Sequence, residues 1–178
     1  MDKIEKHAKV SGSTRKKVDL NNPDFYFNRE IGLIDFQRRV LAEAESEKYP
    51  LLERVKFLAY VYHNMDEFFM VRVGGLHMQN AAGVSDLSMD GKTPAEQLAE
   101  IRKAAIALYK DSQDCWHKRL QPALEEAGIQ MLNYDQLAPK QKESVDSYYL
   151  ETIFPTLTPL AFDPGHPFPH ISNLSLNL

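Results

Sequence analysis

The stretch from Pro50 to Val73, PLLERVKFLAYVYHNMDEFFMVRV, constrains the fold of this chain more than any other. Its apolar residues Leu51, Val55, Leu58, Val61, Met65, Phe68 and Val71, with Leu76 beyond, recur at the spacing of one helix face. Pro50 suits the entrance to a helix, where a missing N–H has no intrahelical partner to lose. The face runs into a polar knot, His63-Asn64-Met65-Asp66-Glu67, and resumes as Phe68-Phe69-Met70-Val71. Asn, Asp and Glu offer more hydrogen-bonding capacity than a packed helix needs. On spacing alone the polar residues line the wet side of a buried helix or tie it to its neighbours, because charged groups on helices are usually solvated.

Four helical blocks follow from the pattern. Asn28 or Asp24 can cap the first, which runs to about Ala44 on Ile31, Leu33, Ile34, Val40 and Leu41. The second extends from Pro50 to Gln79, with a bend or loosening expected at Gly74-Gly75. A loop rich in Gly, Ser and Asp covers Ala82 to Lys92. Thr93-Pro94-Ala95-Glu96 then reads as a capping box opening the third helix. Leu98, Ile101, Ala105, Leu108, Ser112 and Cys115 form a heptad-like seam on it, suited to an antiparallel neighbour. Pro122 kinks or restarts this helix, Gly128 fits a left-handed C-terminal position, and Ile129 to Leu132 form a short extended link. Ala138 to Phe154 make the last helix, with Val145, Tyr148, Tyr149 and Ile153 as its apolar side.

The expected fold is therefore all-α, an antiparallel bundle of about four helices over residues 23–154. Residues 1–22 hold six Lys/Arg against three Asp/Glu and little apolar periodicity, which reads as a disordered basic tail. Residues 155–178 are different again. Pro155, Pro159, Pro164, Pro167 and Pro169 forbid a continuing helix, and Leu174, Leu176 and Leu178 alternate with polar residues as in a half-buried strand of a following domain.

At 178 residues and 43% hydrophobic, the chain can bury one sizeable core. It has no run of about 18 apolar residues, as a membrane helix needs, and no signal-peptide pattern. Its single cysteine, Cys115, forms no internal disulfide and fits a reducing compartment. A net charge of −4 does not point to nucleic acid. Chemical motifs are sparse. Asp66 and Glu67 are adjacent and point about 100° apart on a helix, awkward for joint Mg²⁺ ligation. His63 and His77 lie too far apart to share an ion, and His166 with His170 lack further ligands. Gly74-Gly75 has no following Lys-Ser/Thr, so it is not a phosphate loop.

Three ordered segments carry a resemblance. They are Tyr26-Phe27-Asn28-Arg29-Glu30 with Asp35-Phe36-Gln37-Arg38-Arg39-Val40-Leu41; Pro50 to Leu58 running into Asn64 to Val73; and Leu157 to Pro164 with His166-Pro167-Phe168-Pro169 and Ile171 to Leu176. Together they resemble the start of a bacterial polyphosphate kinase of the large, phosphohistidine-forming type. Gly32-Leu33-Ile34 departs from the family's usual Ser-Trp-Leu and loses an aromatic packing residue. The resemblance implies the N-terminal helical domain and the first residues of the next, within an enzyme several times longer. It places the phosphorylated histidine, the phosphate-binding arginines and the metal site in later domains, so no catalytic or metal-binding residue is assigned among these positions.

By the same resemblance, the intact enzyme uses ATP and Mg²⁺ and transfers the terminal phosphate to inorganic polyphosphate. It is a homo-oligomer in the cytoplasm, with room for membrane association. Asn64 is the expected nucleotide contact, its side chain offering the donor and acceptor that an adenine edge requires. Asp66, Glu67 and Arg72 lie within two turns of it, and Glu67 is at best a diagonal partner for Arg72. The isolated chain is expected to be inactive and to bind ATP weakly. The alternative is a non-catalytic helical packing or oligomerisation module.

Overall fold

The computed structural model describes residues 19–160, 162–165, 167–169, 171, 172, 174 and 175. Most of the expected basic tail lies outside the described residues. Helix α1 (Arg29–Glu45) starts at Asn28, whose Oδ1 accepts from the backbone N–H groups of Glu30 and Ile31 at 3.0 and 3.2 Å. Helix α2 (Leu51–Glu67) follows Pro50 and passes through a π-helical segment, Phe68–Val73, into α3 (Gly74–Ala81). Helix α4 (Pro94–Cys115) likewise passes through Trp116–Leu120 into α5 (Gln121–Glu126). Gly128, at φ 83, then ends the rod in a left-handed turn, with Ile129 N–H returning to Leu124 C=O at 2.8 Å.

The π segments explain how the core face stays continuous. Along α2 the buried positions step by three and four through Leu58, Val61, Met65 and Phe68, then by five to Val73 and by three to Leu76. A π turn bonds i to i+5 and inserts one residue into the face; here Gly74 N–H reaches Phe69 C=O. Val71, assigned to the core face by the unbroken pattern, is 65% exposed as a result. Gly74 and Gly75, the expected site of a bend or loosening, lie in regular α-helix, and the change of winding falls in the preceding segment. The second case is parallel: burial steps from Cys115 to Leu120, and Gln121 N–H bonds to Trp116 C=O. Pro122, which has no N–H and crowds the carbonyl four residues back, falls immediately after this turn and is accommodated without breaking the rod.

Side-chain pairs fix the directions of the rods. Glu30, Gln37 and Ala44 of α1 meet Arg72, Asn64 and Arg54 in reverse order, so α1 and α2 are antiparallel. Tyr62 and Phe69 flank Tyr109, placing the α2 rod beside α4. Asn28, Arg38 and Glu45 meet Gln97, Asp111 and Arg119 in the same order, so α1 and α4 run parallel. The core between them holds Ile34, Leu41, Leu58, Met65, Phe68, Ile101, Leu108 and Leu120. The seam predicted on α4 is buried from Ile101 onward; Gln97 takes the buried place beside half-buried Leu98.

The capping box is present as read. Thr93 Oγ1 accepts from Glu96 N–H at 3.3 Å, and Glu96 Oε2 accepts from Thr93 N–H at 2.8 Å. Thr93→Ala should therefore cost about 1 kcal/mol of unfolding free energy, measured by urea denaturation. A loss below a few tenths would mean that Glu96 alone secures the helix start.

The fourth rod is different. Helix α6 (Pro139–Tyr148) continues through π turns at Tyr149–Ile153 and a 3₁₀ turn at Phe154–Thr156, and none of these segments buries a residue. The apolar side expected to pack, Val145, Tyr148, Tyr149 and Ile153, is exposed. Beyond it, part of the expected strand over 172–178 lies outside the described residues. Ser172, Leu174 and Ser175 are described, form no strand, and Leu174 adopts φ 55.

Candidate functional site

Where the α2 rod crosses α1, a cavity of about 350 Å³ opens between Leu33, Phe36 and Gln37 on one side and Asn64, Glu67, Phe68, Val71 and Arg72 on the other. Its walls alternate apolar and polar groups, as small-molecule sites do. Asn64, singled out in the sequence, is half-buried at this crossing, and its Nδ2 donates to Gln37 Oε1 at 3.1 Å. Gln37 is 2% exposed. Among the described residues neither amide has a second hydrogen bond, leaving Asn64 Oδ1 and Gln37 Nε2 unpaired.

Below this pair lies a cationic cluster. Glu30 is 4% exposed, accepts from Arg29 Nε at 2.8 Å, and faces Arg72 Nη1 at 3.3 and 3.4 Å from its two oxygens. Arg72 thus pairs across to α1 rather than diagonally to Glu67. Glu67 lines the cavity with its side chain exposed. Asp66 points to the other side, where burial first, and its charge second, raise the Tyr109 phenol above its ordinary value.

Gln37 and Glu30 were missed in the sequence, although a signal existed. The buried positions of α1 are Glu30, Ile34, Gln37, Leu41 and Ala44, so both polar residues stand at the phase of the apolar face. A polar residue at a core phase needs a partner. The partners lie 42 and 27 residues away in the chain, beyond any local pattern.

Among the described residues no group of three or more His, Cys, Asp or Glu is placed to hold an ion, and Asp66 and Glu67 diverge. No helix among the described residues is long and apolar enough to cross a membrane. On the α1 side Leu33 and Phe36 bound the cavity.

The family model described as polyphosphate kinase N-terminal domain matches residues 26–132, and that described as polyphosphate kinase middle domain matches 140–178. A polyphosphate kinase of Prosthecochloris aestuarii is 50% identical over 161 residues, which are 90% of this chain and 23% of that protein. One of Prochlorococcus marinus is 47% identical over 163 residues, 89% of this chain and 23% of that protein. The crystal structure of polyphosphate kinase from Porphyromonas gingivalis superposes with a TM-score of 0.60 at 26% identity, over 81% of this chain and 20% of that one. The chain therefore spans less than a quarter of the length of these relatives. It belongs to the polyphosphate kinase family, matching the models of that family's N-terminal and middle domains.

Proposed function

We propose that this domain forms one wall of the nucleotide pocket of a polyphosphate kinase, with Asn64 contacting the adenine of ATP. The observation that carries this reading is the unpaired Asn64 Oδ1 at the cavity between α1 and α2, beside Phe36 and Phe68. An acceptor in that position suits an exocyclic amine, and apolar walls suit a purine ring. In the complete enzyme the terminal phosphate of ATP passes to inorganic polyphosphate through a phosphohistidine. The histidine, the phosphate contacts and Mg²⁺ belong to other domains. What this domain contributes is position, which converts binding into alignment of the transferred group. The same reading makes the enzyme a cytoplasmic homo-oligomer.

The middle-domain match begins at residue 140 and α6 buries nothing. Both support a domain boundary between α5 and α6, ahead of the proline cluster that suggests residue 154.

In the complete polyphosphate kinase, Asn64→Ala should raise KM for ATP roughly three- to tenfold, the worth of one net hydrogen bond. The melting temperature should stay within a few degrees. An unchanged KM with a clear fall in melting temperature would instead identify Asn64 as a tie to Gln37 in a packing module. Titration of ATP into the domain alone should show weak binding.

A further inference from the structure

We infer that Gln37 is the specificity-determining partner of Asn64: it sets the direction of the Asn64 amide and so makes the pair read an amino base rather than an oxo base. This rests on the nucleotide reading above.

Asn64 lines the cavity and donates from Nδ2 to Gln37 Oε1 at 3.1 Å, which fixes the amide's direction and leaves its acceptor Oδ1 without a hydrogen bond. Gln37 itself is held inside α1 at 2% exposure, and its free Nε2 is a donor with no partner among the described residues. That nitrogen is not sealed away: the described side-chain polar atom that is both sealed and without a hydrogen bond is Asp90 Oδ2, elsewhere in the fold. Gln37 is one of the residues that line the cavity. A buried amide with an unused donor is costly unless something completes it. Between them the two amides leave the oxygen of Asn64 and the nitrogen of Gln37 without a hydrogen bond, an acceptor beside a donor. Adenine offers the complement, an exocyclic N–H donor next to a ring-nitrogen acceptor. A 6-oxo purine offers a carbonyl and a ring N–H in those places, setting oxygen against Asn64 Oδ1 and N–H against Gln37 Nε2. Sites built from such fixed polar groups reject a mismatched edge far more strongly than apolar pockets reject a change of size.

The test uses the complete polyphosphate kinase with ATP and ITP as alternative phosphate donors, reading kcat/KM for each. Gln37→Met keeps the volume but releases Asn64 to turn, and should lower the ATP-to-ITP ratio about tenfold. Gln37→Glu still accepts from Asn64 Nδ2 but sets an acceptor where adenine carries its ring nitrogen and a 6-oxo purine its N–H, so it should lower the ratio at least as far. An unchanged ratio in either variant overturns the assignment. Should Gln37→Met fail to melt cooperatively, the Gln37→Glu ratio decides alone. The underlying reading fails separately: Asn64→Ala would then leave KM for ATP unchanged, whatever the Gln37 variants do.

Discussion

Leu120→Ala should lower the unfolding free energy by about 2–5 kcal/mol, the range for emptying a fully buried leucine site. Leu120 is 0% exposed at the end of the second π turn, and it reaches the core because that turn inserts one residue after Cys115. A strict three-and-four pattern from Cys115 would bury Lys118 or Arg119 instead. Both are exposed and bound in surface pairs, Lys118 to Asp114 at 2.9 Å and Arg119 to Glu45 at 3.9 Å. Arg119→Ala should therefore cost under about 1 kcal/mol, as exposed pairs do. Urea denaturation of both variants checks the contrast. If Arg119→Ala proved the more damaging, the π register over Trp116–Leu120 would be wrong.

Asn28→Ala is the second large effect, with an expected loss of about 2–4 kcal/mol. One side chain ties three segments together. Its Oδ1 caps α1, and its Nδ2 donates to Asp90 Oδ1 and to Gln97 Oε1, each at 3.1 Å. The cap contributes about 1 kcal/mol, and stranding buried Gln97 Oε1 while taking one of two donors from Asp90 Oδ1, which keeps Ser88, adds about 1–3 kcal/mol. Asn28→Asp keeps the cap but turns a carboxylate toward both acceptors, so it should recover little of the loss. Near-parental stability in Asn28→Asp would show that the cap alone matters.

Acid should act on the same knot. Burial pushes the Asp90 carboxyl up, but hydrogen bonds from Ser88, Asn28 and its own backbone, with the Lys92 ammonium 3.4 Å from Oδ2, outweigh it and leave the group below its ordinary value of 3.8. A carboxyl depressed on folding stabilises fully above its unfolded value, and that contribution fades as pH falls through the folded one. The difference between parent and Asn28→Ala should accordingly shrink below about pH 4.

What could be read in the sequence was what neighbouring residues decide between themselves. Asn28 and the Thr93–Glu96 box are local hydrogen bonds, and both caps stand where their residue types place them. Gly128 at φ 83 follows from needing a residue without a Cβ at a left-handed position. Periodicity also located the core face of each long rod. It failed at Val71, because counting in threes and fours assumes uniform winding, whereas Phe68 to Val73 is a step of five. Asn64 stood out by residue type, yet its orientation depends on Gln37, a contact that exists only after α1 and α2 have packed. The apolar side of α6 was read correctly as apolar; periodicity tells which residues share a face, not whether anything lies against it.

That last distinction has a consequence for how the chain breathes. Helices α1 to α4 and the turn Trp116–Leu120 share a core, so exposing their innermost amides requires the whole bundle to come apart. Helix α6 and the turns that continue it to Thr156 bury no side chain, so they lack the packing of an amphipathic face from which most helical stability in proteins comes. Their opening is a local helix–coil event, uncoupled from the bundle, and their amides exchange with solvent on that faster clock.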